Sequence, residues 1–281
     1  MLNPHDFKRA IQAIDALGAT PAVLLKVAEL ARDPNTDLAA ICASLRNDGP
    51  LVADIIRISN SPYYAPATFH GNLVAAINYI GLREVMRVVN LSLSRRIFAR
   101  DLSSYGVSAY DYWSDSVASA LVMEALATQS GLNPEDAYTI GILHAIGRVL
   151  INRVIEDQGF AIFWDGRQPI AEWERGEVGF DYAEAGAMLL EHWSFPAQTC
   201  DIIRWQVNPE KIVEPVSMLG LLQFTQRLLA LTGLDFANQG WQLPEADPFV
   251  QASGLTTASV SKLIAACRDD FHSILQSVDL S

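Results

Sequence analysis

Apolar positions recur along this chain at spacings of three and four, and stop at Gly, Pro, Asn and Asp clusters. Leu38, Ile41, Cys42 and Leu45 repeat at i, i+3, i+4 and i+7, the signature of an amphipathic helix. Thr20-Pro21 supplies a cap and an N1 proline for a helix reaching Ala31. Asp33-Pro34 ends it, and Asn35 or Thr36 caps the next. Asp48-Gly49-Pro50 stops one segment and starts another, which runs to Asn60-Ser61-Pro62. Asn72 caps a segment holding Leu73, Ala76, Ile77 and Ile80. Gly81 interrupts, and an amphipathic stretch follows from Leu82 to about Ala99.

The later part reads the same way. Tyr110 to Thr128 is helical, and Asn133-Pro134-Glu135-Asp136 opens a helix with a cap, an N1 proline and two acids at the positive end of the dipole. Gly141 to Ile155 is apolar except for His144, Arg148, Asn152 and Arg153, which predicts a central helix. Residues 157–180 are richer in Gly and Pro and carry no clear pattern. Asp181 to His192, Pro196 to Gln206, Val216 to Leu231 and Thr257 to Leu275 are further helices, with residues 240–254 mostly loop. No period-two strand and no short repeat occurs. The expectation is an all-α protein of about a dozen helices.

Composition sharpens this picture. Half of the 281 residues are hydrophobic, enough for a sizeable core. No run of about 18 apolar residues suggests a membrane span. The polar start, Met1 to Ala10, lacks the apolar region of a signal peptide. Three scattered cysteines, Cys42, Cys200 and Cys267, argue against a disulfide framework and for a cytoplasmic setting, as small buried hydrophobes. The net charge of −12 disfavours nucleic acid as a partner. That charge is uneven: residues 1–100 hold 11 Lys/Arg against 8 Asp/Glu, and residues 101–281 hold 9 against 24. A basic lobe (1–104) and an acidic lobe (105–281) are expected, joined near Asp101 to Ser108. All six tryptophans, from Trp113 to Trp241, fall in the acidic part.

Several segments then carry a family likeness. They are Asp48-Gly49-Pro50-Leu51, Asn60-Ser61-Pro62-Tyr63-Tyr64, Ala75-Ala76-Ile77-Asn78-Tyr79-Ile80-Gly81-Leu82, Leu143-His144-Ala145-Ile146-Gly147, and the stretch from Gly186 to Pro196. Their order and spacing, over roughly Leu17 to Pro215, resemble the HDOD domain, the HD-related output domain of bacterial signalling. The resemblance implies an N-terminal helical bundle packed on a lobe like that of the HD metal-dependent phosphohydrolases. It also implies a regulatory role exercised through protein partners.

HD hydrolases hold a divalent ion with a histidine, a His-Asp pair and a further aspartate, because imidazole and carboxylate together lower the pKa of a bound water. Here the pair is His144-Ala145. The upstream histidine falls near Asp115, which is either a substitute ligand or a solvated carboxylate. Tyr182 stands where relatives carry another histidine, Trp205-Gln206 resembles a downstream His-His pair, and the last aspartate falls near Thr225-Gln226. With no metal or other cofactor expected, His144 is read as a hydrogen-bonded helix histidine in a relict pocket formed with Asp115, Tyr182, Trp205 and Gln206. The expected function is a non-catalytic signalling module, a pseudoenzyme. The alternatives are a phosphohydrolase rebuilt around Asp115 and His144, or a sensor of small molecules in the relict pocket. No Walker A loop, GxSxG, HExxH or GYP triplet is present, and His5, His70, His192 and His272 lack companions at metal-site spacing.

Arg83/Arg87 and Arg96/Arg100 are each spaced i, i+4, so each pair shares a face. They form either a docking patch for an acidic partner or a face that is solvated or paired with the acidic lobe. Asn60-Ser61 is either part of an interaction surface or a local cap. No receiver, kinase or cyclase segment is visible, so a signal is expected to arrive from a separate chain.

Overall fold

The computed structural model describes residues 4–15, 22–32, 37–159, 161–233, 243 and 245–278. Thr20-Pro21, Asn35, Thr36 and Trp241 lie outside them. Among the described residues there is no strand, only one isolated bridge between Leu102 and Val107. The fold is all-α.

The first lobe is built from α2 (Ala22–Arg32), α3 (Leu38–Leu45), α4 (Gly49–Ser59), α5 (Leu73–Ile80) and α6 (Leu82–Ile97). Local side-chain caps set most of these starts. Asp48 accepts from the Leu51 N–H at 2.9 Å and Asn72 from the Ala75 N–H at 2.9 Å, each filling an orphan donor of a first turn. Helix α3 is capped by Asp37, which accepts from the Ala40 N–H, rather than by Asn35 or Thr36.

The second lobe is organised around α7 (Ala109–Ser130), against which α6, α8 (Pro134–Leu143), α13 (Met218–Thr232) and α15 (Thr257–Val278) all pack. The remaining helices are α9 (Gly147–Asp157), α10 (Ile170–Val178), α11 (Tyr182–His192), α12 (Ala197–Trp205) and α14 (Pro248–Ser253). Helix α14 sits in the segment expected to be loop; Asp247 caps it and Pro248 follows at N1. The N-terminal helix α1 (Pro4–Asp15) lies against α9 of the second lobe, with Ala10 and Ile14 buried. Asp15 there accepts from the Trp193 indole N–H at 2.8 Å and lies 3.0 Å from His192 Nε2. The first 104 residues are therefore not one lobe in space.

The apolar stretch from Gly141 to Ile155 is not one central helix. Helix α8 ends at Leu143, and the chain tightens through i→i+3 bonds (Ile146 N–H to Leu143 O, Arg148 N–H to Ala145 O) before α9 begins. The reason is close packing on α11. A Cβ on Gly147 would sit 1.9 Å from the Tyr182 carbonyl oxygen, so only glycine lets the two backbones meet. Pro134–Asp157 is long and apolar enough to cross a membrane by length and composition, but 78% of its most apolar window is buried inside the fold. Cys42, Cys200 and Cys267 are free and buried.

Candidate functional site

The α8–α9 break places His144 against Asp115 of α7 and Gln206 at the end of α12. Its Nδ1–H donates to the Gly141 carbonyl at 2.7 Å, which assigns the tautomer and leaves Nε2 with a bare lone pair. Nε2 stands 4.0 Å from Asp115 Oδ2. Burial lowers the His144 pKa, opposed by the Asp115 charge and the Gly141 bond. The imidazole edge bearing Nε2 therefore faces the Asp115 side chain across the gap between α7 and the end of α8.

The break also exposes main-chain carbonyls that α-helical bonding would have filled. The His144 carbonyl accepts from Gln206 Nε2 at 2.7 Å, and the same amide reaches the Ile203 carbonyl at 2.9 Å. Gln206 Oε1 in turn accepts from Gln226 Nε2 at 2.8 Å. The Ala145 carbonyl accepts from the Tyr112 hydroxyl. Gln206 and Gln226 thus form an amide chain that ties α13 and α12 to the end of α8.

Tyr182 is buried, and the Arg148 guanidinium lies over its ring at 4.4 Å. This is a cation–π contact one helical turn beyond His144. Behind it sits Glu174, fully buried, accepting from the Tyr105 hydroxyl at 2.6 Å and the Tyr182 N–H at 2.7 Å. Burial pushes the Glu174 pKa up to about 7, opposed by those two bonds and by the Arg148 charge. Trp205 does not join this group; its ring carries the Lys211 ammonium at 4.3 Å. The sequence pattern flagged Arg148 only as a polar interruption, and nothing in it linked Glu174, Tyr105 and Tyr112 to the site.

The residues do not fit the divalent ion of the HD hydrolases. Asp115 and His144 supply two donors, whereas such ions are held by at least three protein ligands. The neighbouring positions are a methyl (Ala145), a phenol beneath a guanidinium (Tyr182) and two amides bonded to each other. Among the described residues no three His, Cys, Asp or Glu side chains converge.

The candidate interaction residues are largely engaged within the chain. Arg83 pairs with Glu124 at 3.0 Å and Glu135 at 3.4 Å, and Arg87 with Glu124 at 2.5 Å and Glu84 at 3.3 Å. Both therefore join α6 to the acidic lobe. Arg96 forks onto Asp48 at 2.8 and 3.1 Å. Arg100 is exposed. Asn60 staples the following loop: it donates to the Ile56 and His70 carbonyls and accepts from the His70 N–H. Ser61 is buried.

Comparison with known proteins agrees with this architecture. The HDOD domain matches residues 17–209. An HDOD domain protein of unknown function from Geobacter sulfurreducens superposes with a TM-score of 0.65 at 19% identity, over 92% of this chain and 90% of that one. A Shewanella amazonensis protein provisionally named a phosphohydrolase gives 0.66 at 21%, over 96% and 97%. A Marinobacter aquaeolei protein provisionally named a signal-transduction protein gives 0.67 at 21%, over 97% and 64%. An uncharacterized Treponema pallidum protein is 23% identical over 227 residues, and this chain spans 43% of its length. The structural likenesses, at such identities, are likenesses of fold. With its helical order, its His144 break and a match over more than two thirds of its length, the chain belongs to the HDOD family.

Proposed function

We infer that this chain is a non-catalytic regulatory module of a bacterial cytoplasmic signalling system, acting through contact with another protein. One observation carries the proposal. Where the HD hydrolases place metal ligands, Gln206 donates to the His144 carbonyl and accepts from Gln226. A neutral amide is a poorer ligand for such an ion than the imidazole or carboxylate it stands in for, and turning Gln206 away to bind one would open the α8–α9 break. The name of the Marinobacter protein, which matches over the whole length of this fold, points the same way.

A phosphohydrolase is the second reading, favoured by the Asp115–His144 pair at 4.0 Å and by the name of the Shewanella protein. The two readings separate in an assay of bis-p-nitrophenyl phosphate with added manganese, magnesium or ferrous iron. A regulatory module gives no turnover above buffer. Turnover that disappears in His144→Ala establishes the hydrolase instead. The partner is sought by crosslinking in cell extract, followed by reconstitution of the purified pair.

A further inference from the structure

A cavity of about 730 Å³ opens between the two lobes. Its walls are α2 and α6 of the first lobe, the N-terminal part of α8, and the turn from α11 into α12. The volume falls within the range of about 300–1,000 Å³ typical of small-molecule sites. Walls on several sides suit a compact ligand better than a helix laid along an open groove. Leu25, Leu82 and Met86 are half-buried and Pro196 is exposed, so each keeps apolar surface for an occupant. Ile140 and Phe195, both buried, pack behind them.

The charge around that apolar surface is net negative. Glu29, Glu124, Glu135 and Asp136 line the cavity against Arg83 and Arg87. Both guanidiniums are already held on Glu124, at 3.0 and 2.5 Å, and Arg87 also on Glu84 at 3.3 Å. With Glu84 and the Lys26 that pairs with Glu29 included, five carboxylates stand against three cations. Two of those carboxylates stay open to solvent and to a ligand: the Glu29 side chain is 71% exposed and that of Glu135 49%. The N-terminus of α8 offers an anion nothing in return. Its Asp136 N–H is taken by the Asn133 side chain at 2.8 Å, and Glu135 and Asp136 already sit at the positive end of the dipole. An anion therefore meets net repulsion, whereas a cation with an apolar body finds both its charge and its surface matched.

We propose that this interlobe cavity binds a small amphipathic amine, a monocation on an aromatic or branched aliphatic body. The body lies against Leu25, Leu82, Met86 and Pro196. The ammonium stands at the carboxylates of Glu135 and Asp136, adjacent on the first turn of α8. The site shares no residue with the His144 group and stands whether or not the chain is catalytic. An occupant touches both lobes, so binding stabilises their docked arrangement by mass action and gives a regulatory module an input.

Ligand-observed NMR titration of the full chain at neutral pH tests it, with phenethylamine, tyramine, tryptamine and isoamylamine as probes. Phenethyl alcohol and 3-phenylpropionate serve as the neutral and anionic counterparts of the first. At least one amine binds with a dissociation constant of about 1 mM or below. Phenethylamine binds at least about fivefold more tightly than the alcohol, and the carboxylate more weakly than either. The double substitution Glu135→Gln and Asp136→Asn brings amine and alcohol within about twofold, while the affinity for the alcohol holds. That ratio reads charge rather than folding. Glu177→Gln, an exposed acid on α10 outside the lining, leaves it unchanged, which separates the site from the general pull of a chain of net charge −12. Thr199→Trp, at the half-buried wall, blocks all binding. The proposal is overturned if none of the four amines binds, if the alcohol binds as tightly as the amine, or if the preference survives the double substitution. Amine binding that persists in a folded Thr199→Trp variant overturns it as well. Crosslinking and hydrolysis results leave these outcomes untouched.

Discussion

Gln206 is the residue on which the end of α8 is held. Its amide fills the His144 carbonyl, left open by the helix break, and links onward to Gln226. Gln206→Ala leaves a buried carbonyl without a partner and is expected to lower unfolding stability by about 1–3 kcal/mol. Urea denaturation checks this; a change below a few tenths would mean the amide chain holds nothing. Glu174 gives a pH signature. Its folded pKa of about 7 lies above the ordinary value of 4.5, so the folded state binds the proton more tightly. The stability it contributes is complete below about 4.5 and is lost as pH rises through about 7. Glu174→Gln removes that titration, so the variant's melting temperature falls less than the parent's between these pH values. Parallel pH profiles would exclude a raised Glu174. The family resemblance implied which positions depart from the ligand pattern, at Ala145, Tyr182 and Gln206. It did not show what bonds form there instead, because Gln206, Glu174 and Tyr112 reach their partners across tertiary contacts with no fixed spacing.

Helix starts were legible for a related reason. Asp48, Asn72, Asn133 and Asp181 cap by bonding N–H groups two or three residues on, so each cap is written locally. Asp247-Pro248 carries the same signal as Asn133-Pro134, yet α14 is too short to show a hydrophobic repeat. The break at 144–146 was illegible because its residues favour helix, and it is imposed by the approach of Gly147 to α11. The end of α11 offers a test of element-scale strain. Ser194 occupies the left-handed region (φ 62°) while the Phe195 N–H bonds back to the Leu190 carbonyl at 2.9 Å, a Schellman-type stop. Glycine is the natural residue there. Ser194→Gly is expected to raise stability by about 0.5–1 kcal/mol, despite the added freedom of the unfolded chain. A loss measured by thermal unfolding would show that the serine side chain contributes more than its backbone costs.

Across the whole molecule, charge asymmetry is an internal device. The basic α6 docks on the acidic lobe through Glu124, whose side chain is 8% exposed and receives both Arg83 and Arg87. Glu124→Ala leaves Arg87 with Glu84 as its one remaining carboxylate among the described residues and should cost about 2–3 kcal/mol, whereas Arg83→Ala, at a half-exposed pair, should cost under about 1 kcal/mol. Equal effects in urea denaturation would mean that the junction does not depend on burial. The packing of α1 onto α9 was not readable from the charge split, because among the described residues buried apolar ones, Ala10 and Ile14, carry it. At this scale the proposed non-catalytic role rests on a donor pair, Asp115 and His144, too small to hold a divalent ion. Elemental analysis of the chain, purified anaerobically and then equilibrated with manganese, ferrous iron or zinc, tests it most directly. The account predicts far less than one ion per chain after exhaustive dialysis, unchanged by His144→Ala. One or two tightly held ions per chain, lost in that variant, would contradict it.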